Sequence, residues 1–291
     1  RVLFDLFALG LFGGFFIVPL YVLIQLRSAP EQRARIIAAN NILNALFMVV
    51  GAMVAAGMLG NGLTIPLLFG IAALCNALVA LYIYTLVPEF MLRFVAWLLI
   101  HSIYRLEQKG IEHIPLEGPG VLICNHVSFV DPLVISSACR RPIRFVMDHR
   151  IFRMPLISFI FRHMRAIPIA PAREDPVMME AAFAEVARAL AEGELVGIFP
   201  EGRITDTGEF YPFRSGIQRI VGQTPVPVIP LALRGLWGSF FSRKDGPAMS
   251  KPLRRGLFSK IGLVAGAPVA PQDATPEYLQ TLVAELRGDW K

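Results

Sequence analysis

Three long stretches near the start of the chain, Leu6 to Leu26, Ile36 to Leu59 and Leu63 to Val87, contain no charged side chain. Each has the roughly 20 apolar residues a helix needs to cross a bilayer, so three transmembrane helices are predicted. The link between the first two holds Arg27, Arg33 and Arg35, whereas the link around Asn61 and Gly62 is uncharged. Basic links stay on the cytoplasmic side, which orients the spans and puts everything after Pro88 in the cytoplasm. Gly51, Ala52, Ala55, Ala56, Gly57 and Gly60 form a small-residue run that allows a neighbouring helix to approach closely. Asn40, Asn41, Asn44 and Asn76 are read as hydrogen-bonding glue between helices, with a polar substrate path as the alternative.

The pattern changes at the Pro88-Glu89 junction, the expected boundary between a 1–89 membrane domain and a 90–291 cytoplasmic, membrane-associated domain. Phe90 to Tyr104 and Ile151 to Met164 mix aromatic and aliphatic residues with Arg, and both are too short to span. They are expected along the membrane surface, the alternative being buried core helices with a solvated basic edge. After Gly110, short apolar runs alternate with helical periodicity. Strands are predicted at Val121 to Cys124, Ile143 to Met147, Ala166 to Ile169, Leu195 to Phe199, Val226 to Arg234 and Ile261 to Val264, and the clearest helix at Pro176 to Glu192. The fold class is therefore α/β behind three transmembrane helices.

Composition supports the membrane assignment: 55% of residues are hydrophobic and 17% charged, and the mean hydropathy is +0.55. The formal net charge of +6 suits an anionic lipid surface or nucleic acid. The basic residues are interleaved with membrane-type apolar stretches, which argues against nucleic acid. Cys75, Cys124 and Cys139 have apolar neighbours and no CxxC spacing, so they are read as buried reduced thiols, with no disulfide framework and no metal site. The chain opens on Arg1, and its first apolar stretch has no basic leader or cleavage site, so it is expected to be part of a longer protein rather than to start with a signal peptide.

Two constellations can carry chemistry. The strand Val-Leu-Ile-Cys runs into Asn125-His126-Val-Ser-Phe-Val-Asp131, placing a histidine where an open α/β sheet puts its ligand site. Asp131 is close enough to fold back on the imidazole, fix its tautomer and leave the other nitrogen to take a proton from a hydroxyl. The second is Phe199-Pro200-Glu201-Gly202-Arg203, where Gly202 exposes backbone N–H groups and Arg203 offers a fork to a phosphate oxygen; Glu201 would hold an arginine or the loop. An ordinary polar turn is the plainer alternative. Arg214, with Gly216 opening a helix, is a further anion cradle, and Arg173 a fourth candidate. No GxSxG elbow occurs, which disfavours serine-hydrolase chemistry.

In order, NHVSFVD, RAIPIAPAR, FPEGR and VIPLAL resemble the four blocks of the PlsC-like lysophospholipid acyltransferase family, over roughly Phe90 to Gly266. The resemblance implies that His126 is the base and Asp131 its partner. It also implies that Asn125, Glu201, Gly202, Arg203, Arg214, Gly216 and Arg173 face substrate, and that Val228-Ile229-Pro230 lies on the acyl side. RAIPIAPAR departs from the usual second block. Arg203 stands where the family commonly has Thr, a form similar to the branch fused to an acyl-carrier-protein synthetase. The implied function is acyl transfer from an acyl-carrier-protein or coenzyme A thioester to a lysophospholipid, lysophosphatidylethanolamine ahead of lysophosphatidic acid, without a further cofactor. The first helices, FFIVPLYVLIQ and RARIIAANNILNALFMVVGA, look like the last helices of a major-facilitator lysophospholipid transporter. That likeness implies a bacterial inner-membrane protein with the rest of a transporter before Arg1. A lipid transporter with a merely regulatory cytoplasmic domain is the rival of another class.

Overall fold

A computed structural model describes residues 2–86, 88–244, 246–249 and 258–290. The chain divides into two compact units, Arg1–Met91 and Leu92–Lys291.

The first unit is built mainly of helices α1 (Val2–Arg27), α2 (Pro30–Gly60) and α3 (Ile65–Leu86) and ends inside the helix that begins at Pro88. All three are long and apolar enough to cross a membrane. Arg33 and Arg35, expected in a link, instead lie in the first turns of α2, because Pro30 at its start lets the helix begin before the apolar span does. The connection itself is only Ser28 and Ala29. Val87, assigned to the third span, lies outside the described residues. Asn40 and Asn44, one turn apart on α2, both donate their amide to the Tyr21 hydroxyl on α1, at 3.1 and 2.9 Å. These two asparagines are thus interhelical glue. Cys75 corrects the expectation of three buried thiols. It is exposed on α3, since an apolar residue on a membrane-type helix can face outward, while Cys124 and Cys139 are buried.

The second unit is a seven-stranded sheet in the order β1-β7-β6-β2-β5-β3-β4. Its strands are β1 (Tyr104–Lys109), β2 (Gly120–Cys124), β3 (Ile143–Asp148), β4 (Ile167–Ile169), β5 (Leu195–Ile198), β6 (Val228–Arg234) and β7 (Ser259–Ala265). Strands β2 to β6 run parallel; β7 is antiparallel to β6, and β1 runs parallel to β7. Helices α4 (Pro88–Ile103), α5 (Asp131–Ala138) and α6 (Pro155–His163) share one apolar core with one face of the sheet. Helices α7 (Pro176–Ala191), α8 (Gly216–Gln223) and α9 (Pro276–Arg287) share the other. Every residue of β2 is buried, and Val121 and Ile123 face one core while Leu122 and Cys124 face the other. This is why the central strand reads as an unbroken apolar run.

Two expected helices change shape. Tyr104, assigned to the first surface segment, starts β1 instead and pairs with Ser259; the polar alternation of YRLEQK, typical of an edge strand, gave no apolar run to detect. Ile151 to Met164 breaks into a 3₁₀ turn at His149–Arg153 and then α6, because Pro155 starts a new helix. Helix α7 begins as read, its Asp175 side chain accepting the Met178 N–H at 2.9 Å.

Candidate active site

Because β2, β3, β4, β5 and β6 are parallel, their C-terminal ends share one edge of the sheet. His126 follows β2, and the loop Phe199–Ser215 follows its neighbour β5.

Asp131 is fully buried at the start of α5. Its Oδ2 accepts N–H groups from Val127 at 2.6 Å and Ser128 at 2.9 Å, and its Oδ1 accepts the Ser128 hydroxyl at 2.5 Å. The same Oδ2 lies 2.9 Å from His126 Nδ1. A carboxylate that accepts so many donors is held as an acceptor, so Nδ1 carries the proton of this bond and the neutral ring presents a lone pair at Nε2. The His126 side chain is 18% exposed, reachable from solvent yet fixed. Its ring stacks on Phe199, with centroids 4.1 Å apart, and Phe199 in turn stacks on Phe145 at 6.0 Å. A Cβ on Gly197 would lie 2.6 Å from the Phe145 ring, so only glycine lets Phe145 lie across β5 and back this stack. Sequence reasoning missed Gly197 and Phe145; a glycine inside an apolar strand was the available signal.

The backbone of His126 is gripped on both sides by the β5 loop. Its N–H donates to Glu201 Oε1 at 2.8 Å, and its carbonyl accepts the Thr205 N–H at 2.9 Å. The other oxygen of Glu201 accepts the Tyr211 N–H at 2.8 Å. Glu201 is buried, which pushes its carboxyl above the usual range despite these two bonds. This corrects the expectation that Glu201 faces substrate: it is buried with each oxygen accepting a backbone N–H, and of the two roles considered it holds the loop. Asn125 is corrected in the same way. Its buried amide accepts the Leu233 N–H at 2.8 Å and donates to the Leu233 carbonyl at 3.1 Å, extending the pairing of β2 with β6 beyond the strand end. Thr205 was not singled out in the sequence, and nothing in its immediate neighbours marks it.

Gly202 has φ +68°, and a Cβ there would sit 2.7 Å from the Arg214 guanidinium carbon. Glycine thus gives the turn its left-handed residue and lets Arg214 lie against the loop. Arg203 and Arg214 are exposed. Arg203 is 3.2 Å from Asp206 and lies over the Tyr211 ring. Gly216 is the first residue of α8, as read. Arg173 is exposed in the turn between β4 and α7, at the outer end of the strand order and three strands from β2. The structure therefore brings together His126, Asp131, Glu201, Gly202, Arg203 and Arg214, and leaves Arg173 at the sheet's margin.

Residues 105–234 match the family model described as Acyltransferase. Among curated relatives, a chloroplastic 1-acyl-sn-glycerol-3-phosphate acyltransferase of Brassica napus is 29% identical over 148 residues, 50% of this chain and 42% of that protein. The 1-acyl-sn-glycerol-3-phosphate acyltransferase of Bacillus subtilis is 26% identical, over 56% of this chain and 72% of its own length. The enzyme of that name from Cocos nucifera is 32% identical over 40% of this chain and 37% of its own. The chain thus spans less than half the length of the Brassica and Cocos relatives. The crystal structure of the 1-acyl-sn-glycerophosphate acyltransferase PlsC from Thermotoga maritima superposes with a TM-score of 0.53 at 19% identity, covering 70% of this chain and 82% of that one. Helices α1 to α3 lie outside the matched family region. The second unit therefore has a PlsC-like fold, α/β on a mixed sheet, and most of its sheet lies within the region that matches the Acyltransferase family.

Proposed function

We propose that the chain transfers a fatty acyl group from an acyl-carrier-protein or coenzyme A thioester to the free hydroxyl of a lysophospholipid. The observation that carries this reading is the His126–Asp131 pair, whose geometry leaves Nε2 as an acceptor beside the loop bearing Arg203 and Arg214. Nε2 takes the proton from the lysolipid hydroxyl as its oxygen attacks the thioester carbonyl. When the tetrahedral adduct collapses, the carbon–sulfur bond breaks, and the thiolate recovers that proton from the imidazolium. Each step balances without an acyl-enzyme. Backbone N–H groups stabilise the oxyanion, and Arg203 and Arg214 hold the lipid phosphate as charge-assisted donors. No further cofactor takes part. Gly216 at the start of α8 and Arg173 are kept as outer contacts to the phosphate or its carrier.

The acceptor proposed first is lysophosphatidylethanolamine. FPEGR resembles the branch fused to an acyl-carrier-protein synthetase, and helices α1 to α3 resemble the end of a carrier that would deliver such lipids at high local concentration. On this reading the protein lies in a bacterial inner membrane with the acyltransferase domain in the cytoplasm and further transporter helices before Arg1. A second reading, acylation of lysophosphatidic acid, is favoured by the names of the relatives above. The deciding measurement is kcat/KM for both acceptors with one acyl-carrier-protein thioester in the same bilayers; a tenfold preference for lysophosphatidic acid selects the second reading. Lysolipid flipping that persists in the intact protein while the His126–Asp131 pair proves dispensable would instead identify a transporter with a regulatory domain. Orientation is tested with cysteines at Ser28 and Asn61, which should label from opposite sides of an intact membrane.

A further inference from the structure

The acyl-transfer step leaves one charged cluster of the β5 loop without a complete role. Arg203 and Asp206 form an ion pair at 3.2 Å, and their side chains are 50% and 49% exposed. The Arg203 guanidinium lies 4.2 Å above the Tyr211 ring, and the Tyr211 hydroxyl donates to the second Asp206 oxygen at 2.5 Å. Arg243, from the segment after β6, acts on Asp206 electrostatically. The cluster is tied to the base at both ends. Thr205, next to Asp206, donates its N–H to the His126 carbonyl, and the Tyr211 N–H meets the Glu201 carboxylate that also holds His126.

A solvent-exposed ion pair of this kind stabilises a fold by at most about 1 kcal/mol. Stability alone therefore does not account for a pair braced by a third side chain at the rim of a reactive histidine. The Asp206 carboxylate accepts Arg203 on one oxygen and Tyr211 on the other, with its own backbone N–H as a further donor, which still leaves acceptor capacity in its roughly four lone-pair sites. Arginines alone would reward any phosphate, and a phosphomonoester with up to two charges most of all. A carboxylate set beside them has the reverse effect: it repels the second negative charge and rewards a cation on the far side of the phosphate.

We propose that Arg203 and Asp206 together read a zwitterionic headgroup, Arg203 taking a phosphodiester oxygen and Asp206 the primary ammonium of ethanolamine. The proposal rests on the acyl-transfer reading above and assigns Asp206 a role in acceptor choice. As the lipid enters, Arg203 exchanges its carboxylate partner for the phosphate, and the ammonium takes the vacated side of Asp206, so both protein charges stay paired. Tyr211 is the positioning residue: its ring carries the guanidinium and its hydroxyl fixes the carboxylate.

The test compares kcat/KM for lysophosphatidylethanolamine and lysophosphatidic acid in the full chain, with one acyl-carrier-protein thioester and one vesicle composition. Asp206→Asn should lower the ratio of the first to the second by about tenfold or more, the effect of losing one charge-assisted hydrogen bond. Tyr211→Phe should shift the ratio in the same direction by less. Equal losses on both acceptors, or an unchanged ratio, would overturn the headgroup role while leaving acyl transfer standing. A wild-type chain that acylates neither lipid overturns the acyl-transfer reading itself. One that acylates only lysophosphatidic acid overturns both the first acceptor assignment and this pair's role.

Discussion

The loops that leave β2 and β5 stand side by side at one edge of the sheet, and both contain residues of the kind that mark active sites. They work differently. In the β2 loop a carboxylate holds a reactive side chain as well as backbone: Asp131 fixes the His126 ring while accepting the Val127 and Ser128 N–H groups. In the β5 loop a carboxylate holds backbone alone: buried Glu201 accepts the N–H groups of His126 and Tyr211, one on each oxygen. A buried acid in a signature motif is thus a positioning element in one loop and the partner of the proposed base in its neighbour. Residue type alone does not distinguish the two.

The sharpest way to break this comparison is to remove the base. His126→Ala should reduce turnover by roughly 10² to 10⁴ with the fold intact, the usual contribution of a general base. Near-full activity by acyl-transfer assay would end the mechanism. Asp131→Asn should follow at about 10²-fold or more. The amide oxygen can keep the Val127, Ser128 and His126 bonds while the Ser128 hydroxyl reverses to accept, so the fold should survive. What disappears is the negative charge that stabilises the imidazolium, and kcat should fall with little change in KM.

The β5 loop should respond in another currency. Glu201→Gln sets an NH₂ group against one of two backbone N–H donors, leaving a buried group unpaired at a cost of about 1 to 3 kcal/mol. Thermal denaturation should register this as lost stability, with activity down by about tenfold. A kcat loss equal to that of His126→Ala in a fully folded variant would erase the distinction between the loops. Gly202→Ala adds a Cβ at positive φ that must displace Arg214, so KM for the lysolipid should rise by a few-fold to about tenfold, more than kcat falls.

The smallest effect is on pH dependence. Burial raises the Glu201 carboxyl above 4.5, so the folded state holds this proton more tightly than the unfolded chain does. Its contribution to stability is therefore complete at pH below 4.5 and is lost as pH rises through the higher folded value. The difference in denaturation midpoint between wild type and Glu201→Gln, followed upward from pH 4, should change in that direction; the opposite slope would place Glu201 among ordinary stabilising carboxylates.

Much of this was legible in the sequence where one residue's chemistry is fixed by its near neighbours. The three apolar spans, the central strands β2, β5 and β6, and the five-residue spacing of His126 and Asp131 are local patterns. What could not be read depends on partners far along the chain. Asn125 meets Leu233, Glu201 meets His126, and Gly197 makes room for Phe145, pairings that exist only once the strands are ordered. The edge strand β1 was missed for a related reason: a polar strand declares itself through its neighbour β7, not through its own hydropathy.

That pairing of the first strand with the last has a consequence for biosynthesis. At a ribosomal rate of roughly 5 to 20 residues per second, β7 follows β1 by about 150 residues, or about 8 to 30 seconds. During that interval α1 to α3, long and apolar enough to cross a membrane, are already made, while β1 waits with an unpaired edge. Its alternating Arg105, Glu107 and Lys109 make that edge a poor template for a stray strand. The nascent chain is thus protected from mispairing until its own C-terminal strand closes the sheet.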